Sequence, residues 1–283
     1  MEKARLIWRT PRLRWSAIVF HAILIAYSLM VIGPLLVMAL SSVKTTAEIY
    51  TNPFGLPQVW KWSNYVKAWE EANFAIYFKN SLFITITATT LEVLIGAMAS
   101  YGLGRFEFKL NPVIYGIFVL GLMISSRLAI IPLFLLMRDL HLLNTHLALI
   151  LIYIGNAMPF EIFLLTAFFR QVPKELEEAA IVEGAGAVTI FSRIMLPLVR
   201  PALATVAIFE FLSCWNDFFF PLIFLQDQKK MTIPVGLSVF FGEYATDWAS
   251  LFAALAISII PVIAMFLLMS RQFIEGLTAG AIK

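Results

Sequence analysis

The chain of 283 residues is 60% hydrophobic and only 14% charged, with a mean hydropathy of +0.85. Soluble domains carry about 25% charged residues, so this composition excludes a soluble protein and puts the chain in lipid. The net charge of +3, with a pI near 9.0, matters through its distribution along the chain and gives no nucleic-acid signal.

A helix needs about 20 apolar residues to cross roughly 30 Å of hydrocarbon, and six stretches qualify, at approximately 16–40, 80–103, 113–137, 147–168, 202–225 and 251–270. The first far exceeds the roughly 7–15 residues of a cleaved signal's apolar region and reads as a retained span. Between the first two spans, "NPFGLP" (Asn52–Pro57) predicts a turn. Trp60, Trp62, Tyr65 and Trp69 follow, with the spacing of an interfacial aromatic belt. No repeat, low-complexity tract or second soluble domain interrupts the chain, so residues 1–283 read as a single membrane domain.

Of the 21 Lys and Arg, thirteen fall on one side of this layout, five of them in the N-terminal arm. Seven fall on the other side, and Arg127 lies within a span. The positive-inside rule then predicts that both termini are cytoplasmic.

The segment 173–201, "PKELEEAAIVEGAGAVTIFSRIMLPLVRP", interrupts two apolar runs with a polar, glycine-broken element on that inner side. Pro173 suits a first helical position, and Glu175, Glu177 and Glu178 complement the positive end of the helix dipole. Ala179 and Ala180 form a low-profile face. Gly184 and Gly186 are expected to end the helix in left-handed geometry. A second helix should carry Phe191, Ile194, Met195 and Leu198 on one α-helical stripe before Pro197 and Pro201. Three leading glutamates disfavour anionic lipid as the partner and favour a protein.

Ionisable groups at depth are costly enough to need a partner or a watery cavity. Glu92, Arg127, Glu161, Glu210 and Asp217 qualify. At about 1.5 Å per residue, Glu92 and Arg127 fall at about 17 and 21 Å from the inner ends of their spans, which predicts a Glu92–Arg127 pair. Trp215, Asn216 and Asp217, with Asn156, are candidates to line a polar path between helices, where amide and carboxylate would meet a hydroxyl-bearing solute; the competing reading is helix-to-helix hydrogen bonding. The lone Cys214 reads as packing. No phosphate-cradling G-x-x-x-x-G-K-[ST] loop, HExxH or CxxC occurs, so neither ATP hydrolysis nor a metal site is expected in this chain.

Glu178-Ala179-Ala180, Gly184, Ile194 and Leu196-Pro197 resemble, at fixed spacing, the EAA loop of binding-protein-dependent ABC importer permeases. Glu183 departs from the Asp often found there in the family. "NSLFITITATT", "SYGLGRF", "WNDFFFPLIFL", "TIPVGL" and "GLTAGAIK" extend the resemblance to carbohydrate permeases of the maltose-transporter, MalG-like kind, from Pro53 to Lys283. The resemblance implies an all-α polytopic fold of the type I importer (MetI-like) class, with six transmembrane helices and a cytoplasmic coupling helix. It also implies a heterodimer with a second, related permease, two ATP-binding subunits that carry ATP and Mg, and an extracytoplasmic sugar-binding protein. The expected location is a bacterial or archaeal plasma membrane. The coupling residues it implies are Glu178, Ala179, Ala180, Glu183, Gly184, Ile194, Leu196 and Pro197, and the terminal "RQFIEGLTAGAIK" is expected to meet the ATPases as well. An ion-gradient-driven transporter or a permease for a non-sugar solute are the alternatives.

Overall fold

The computed structural model describes residues 15–70, 73–243 and 247–279. Residues 1–14 of the N-terminal arm and the last four residues, Gly280–Lys283, of the terminal "RQFIEGLTAGAIK" lie outside these residues, with the expectations placed on them.

Every regular element among the described residues is helical. Four helices are long and apolar enough to cross a membrane: Ala17–Ser41, Phe74–Arg105, His146–Gln171 and Trp248–Gln272. Two bent pairs bring the total to six if each counts as one span. We number the helices α1 (Trp15–Ser41), α2 (Thr46–Thr51), α3 (Ser63–Glu70), α4 (Phe74–Arg105), α5 (Asn111–Gly121), α6 (Ile130–Asp139), α7 (His146–Gln171), α8 (Lys174–Val182), α9 (Ala187–Leu198), α10 (Arg200–Asn216), α11 (Phe219–Phe224), α12 (Ile233–Glu243), α13 (Trp248–Ser258) and α14 (Ile260–Ala279).

The scaffold is the α4–α7 pair. Its approach is close because small residues sit at the crossing, the usual device where hydrophobicity cannot drive helix association. A Cβ on Gly96 would collide with the Glu161 carboxylate, and one on Gly104 would lie 3.2 Å from Phe169 Cβ. Helix α10 packs on α4 and α7, and α14 packs on α10. Helix α1 stands apart: its most apolar window is wholly unburied, and it rests on α13.

The apolar stretch 113–137 is not one straight helix. Helix α5 ends at Gly121, and the chain resumes at Ser126 with a 91° bend. Gly121 lies against Pro159 of α7, where a Cβ would be 3.1 Å from the proline ring. The stretch 202–225 is also divided. Helix α10 stops at Asn216, and Pro221, which has no N–H for an intrahelical bond to Asp217, sits in the separate helix α11. Pro261 stands at the start of α14, after the break at Ile259.

The segment between α1 and α4 is ordered by buried polar groups. Lys44, fully buried, donates to the carbonyls of Asn52 (2.8 Å) and Pro53 (3.1 Å). Asn64 Nδ2 donates to the carbonyls of Ser42 and Lys44, and Asn52 Oδ1 accepts from Gly55 N–H to close the turn. Trp60 and Trp62 stay exposed and stack in series with Tyr65, at centroid distances of 6.2 and 6.0 Å. Trp69 instead packs on Phe74 and Phe78.

Gly236 of α12 faces the ring of Tyr77 so closely that any Cβ would overlap it. An aromatic ring cannot yield as a flexible side chain can, so Gly236→Ala should destabilise the protein by about 1–3 kcal/mol through overpacking. Gly155→Ala, which meets open space, should not lower the melting temperature of the detergent-solubilised protein.

Candidate coupling element and translocation cavity

The element at 173–201 is an elbow. Pro173 lies just outside α8 as its cap (φ −54°, ψ 135°), and Lys174 opens the helix. Glu175 and Glu177 occupy the first turn. At the other end Gly184 has φ +84°, Gly184 N–H bonds the Ile181 carbonyl (2.9 Å), and Ala185 N–H bonds the Ala180 carbonyl (2.9 Å). That pair of bonds is a Schellman closure, which requires a left-handed residue at the glycine position. Gly186, by contrast, is extended (φ −77°, ψ 162°) and opens α9, so only one of the two glycines serves the left-handed role expected of both.

The second helix keeps three members of the predicted stripe: Met195 is buried and Phe191 and Ile194 pack half-buried against the same core. Ile190–Met195 is wound as a π-helix. The buried face is therefore Ile190, Met195 and Val199, spaced by five and four residues, while Leu198 is exposed. Beyond Met195 the buried position is Val199 and not the expected Leu198, one residue further on, after the π turn; such turns are frequent at functional sites.

One face of the elbow has no partner among the described residues. Ile181, Val182 and Val188 are 61%, 89% and 80% exposed, and Glu178, Ala179, Glu183 and Gly184 are exposed beside them. Of the expected coupling residues, Ala180 is buried, Ile194 and Leu196 are half-buried against the α9 core, and Pro197 is exposed.

The opposite face is fastened by Arg105, the last residue of α4. Its Nε donates to Glu177 Oε2 at 2.9 Å, and Nη1 donates to the carbonyls of Val172 (2.8 Å) and Phe169 (3.3 Å). The two side chains are 4% and 17% exposed, so this ion pair is sheltered from screening. One guanidinium thereby joins the ends of α4 and α7 to α8. The sequence marks Arg105, within "SYGLGRF", as one of the inner-side cations but not as the partner of Glu177. Asking which inner cation could answer the glutamates of the elbow would have found it.

A cavity of about 290 Å³ lies among α4, α7, α10 and the bend before α6, lined among others by Glu92, Arg127, Tyr153, Asn156, Glu210 and Asp217. The expected Glu92–Arg127 pair does not form: among the described residues no ion pair within 4 Å links them, although both face this cavity. The depth estimate assumed a straight third span, and the 91° bend removes that premise. Arg127 instead lies over the Phe219 ring, 5.6 Å from its centroid, and Glu92 Oε1 accepts from Cys214 Sγ at 3.7 Å. Glu92 Oε2 and both oxygens of the fully buried Glu161 have no hydrogen-bond partner.

The "WNDF" stretch divides in role. Trp215 is core: its Nε1 donates to the Ser258 carbonyl (3.1 Å), and its ring stacks on Phe211 at 5.9 Å and 7°. It is 4% exposed and does not line the cavity, which corrects its place among the candidate lining residues. Asn216 turns back to the Leu212 carbonyl of its own helix (2.9 Å) and is also absent from the cavity lining. Asp217 and Asn156 do line it. Asp217 accepts from Tyr153 Oη (2.9 Å) and from the N–H groups of Phe219 (3.1 Å) and Phe220 (3.2 Å). It thus holds α7, α10 and α11 together, the helix-to-helix bonding weighed from sequence. Asp217→Ala should cost about 1–3 kcal/mol by stranding these donors. Asn216→Ala should stay within about 0.5 kcal/mol. Equal melting temperatures for the two variants would contradict this assignment.

Among the described residues no group of three or more His, Cys, Asp or Glu is placed to hold a metal.

Residues 92–275 match the family described as binding-protein-dependent transport system inner membrane component. The chain belongs to that family. The permease is 40% identical over 272 residues to the diacetylchitobiose uptake system permease protein NgcG of Streptomyces coelicolor, covering 95% of this chain and 90% of that one. It is 38% identical to the probable ABC transporter permease protein YurM of Bacillus subtilis, over 95% and 87% of the two chains. Among solved structures it is similar, with a TM-score of 0.81 and 25% identity over 93% of this chain and all of the other, to a bacterial ABC transporter involved in import of the acidic polysaccharide alginate. The permease has the all-α polytopic type I importer fold, is a multi-pass membrane subunit of an ABC-type importer, and leaves ATP hydrolysis to a separate ATPase chain.

Proposed function

We propose that this permease forms half of the translocation pathway of a sugar or oligosaccharide importer, paired with a second, related permease. Two ATP-binding subunits, carrying ATP and Mg, grip the elbow from the cytoplasm. An extracytoplasmic sugar-binding protein delivers cargo, and both termini are cytoplasmic in a bacterial or archaeal plasma membrane. The saccharide assignment is supported by the relatives whose names mention diacetylchitobiose and alginate, and the MalG-like placement by the quoted motifs.

The observation that carries the reading is the two-sided elbow. Its outer face presents unpartnered Ile181, Val182 and Val188 beside Glu178 and Ala179, an apolar patch rimmed by charge of the kind that marks a protein contact. Its inner face is bolted by Arg105 to the two scaffold helices. A partner that moves the outer face must therefore move the ends of α4 and α7. Those helices wall the polar cavity, so closure of the ATPases is converted into alternating access. A cysteine at exposed Ala179 should crosslink to the ATPase in the assembled transporter, and vesicles should accumulate saccharide only with ATP. Uptake by the isolated chain, or an Ala179→Cys variant reaching only lipid, would overturn the reading.

A further inference from the structure

A second cavity, of about 370 Å³, opens beside the elbow, where the end of α4, the start of α5 and the end of α7 meet. Arg105, Asn111, Arg170 and Lys174 contribute its polar lining, and Glu107 is its one carboxylate. Arg170 has no carboxylate within 4 Å among the described residues: its guanidinium lies over the Tyr115 ring, 4.9 Å from the centroid, and Nη2 donates to the Leu103 carbonyl at 3.3 Å. Lys174 reaches Glu107 at 3.4 Å, but with side chains 68% and 90% exposed that contact is weak. Arg105 contributes a buried guanidinium nitrogen, Nη2, with no partner. The cavity thus offers spare cationic donors, and exposed Phe106 and Phe108, with Pro112 of α5, supply its apolar rim.

We propose that this cavity binds the phosphate of an anionic phospholipid headgroup from the inner leaflet. A phosphate accepts from guanidinium and ammonium groups together, and basic pockets between helices at this depth suit anionic headgroups. The apolar rim decides for a lipid over a free phosphate, because it gives acyl chains a surface continuous with α5. The site backs onto the Arg105–Glu177 contact, so the headgroup charge acts on the same guanidinium that holds the elbow. The inference rests on the cytoplasmic placement of the elbow proposed above.

The test uses the assembled transporter in nanodiscs of phosphatidylcholine with increasing phosphatidylglycerol, followed by native mass spectrometry of retained lipid. The wild type should retain phosphatidylglycerol in preference to phosphatidylcholine, and Arg170→Gln/Lys174→Gln should weaken that retention about tenfold or more. Arg170→Lys/Lys174→Arg, which keeps both charges, should retain it. Should the double variant fail to assemble, Lys174→Gln alone, at an exposed side chain, makes the same comparison. Undiminished retention in the glutamine variants overturns the proposal, as does inorganic phosphate occupying the site as tightly as the lipid. ATP-driven saccharide uptake measured in sealed proteoliposomes of the same lipid composition reports separately on the importer reading, which survives loss of the lipid site.

Discussion

Arg105→Met should assemble poorly and transport at least tenfold more slowly, and adding Glu177→Leu should restore part of both. The single change removes the cation and leaves the Glu177 carboxylate sheltered and alone, while the carbonyls of Phe169 and Val172 lose their donor. Breaking one side of a buried ion pair costs about 3–5 kcal/mol, whereas replacing both members with apolar groups costs far less. The order of the three proteins in thermal stability should therefore be wild type, double variant, single variant. A double variant no better than Arg105→Met would show that the ion pair is not what joins α8 to α4. Transport discriminates further. If Arg105 is a mechanical link, the double variant should hydrolyse more ATP per saccharide moved than the wild type even where its stability recovers, because an apolar contact transmits direction less rigidly than three directed hydrogen bonds.

Gly184→Val should abolish coupled uptake while leaving membrane insertion intact. At φ +84° a β-branched residue is strained, and the left-handed conformation costs about 1–2 kcal/mol for ordinary residues. The alternative is loss of the Schellman bonds to Ile181 and Ala180 and a re-aimed α9. Nothing lies within 4 Å of a Cβ at Gly184, so the effect is conformational and not steric. Gly186→Ala supplies the contrast: φ there is −77°, a Cβ meets open space, and uptake should stay near wild type. Equal loss of uptake in both variants would show that the elbow needs small residues for contact with the ATPase, with backbone geometry secondary.

The elbow and the cavity differ in how far the sequence reveals them. An elbow is local: carboxylates after Pro173 and glycine at Gly184 dictate a helix start and stop through bonds within a few residues, so the chain reads it directly. In α9 the stripe Phe191, Ile194 and Met195 was legible, but the π turn at Ile190–Met195 was not, and it leaves Val199 instead of Leu198 on the buried face. The cavity is non-local. Depth along a presumed straight span paired Glu92 with Arg127, but the close contact of Gly121 with Pro159 and the bend after it carried Arg127 to the Phe219 ring instead. Trp215, Asn216 and Asp217 are consecutive, yet a helix points neighbours about 100° apart, and only Asp217, at the helix end, reaches the cavity.

The sequence by itself determined that this is a polytopic membrane protein with a polar, glycine-broken elbow between apolar helices, because hydropathy and capping act over short stretches of chain. Only the tertiary structure decided what the elbow is fastened to and which charges share a cavity. Arg105 and Glu177 are 72 residues apart, and no local preference records a contact made when two helices of separate spans close on each other.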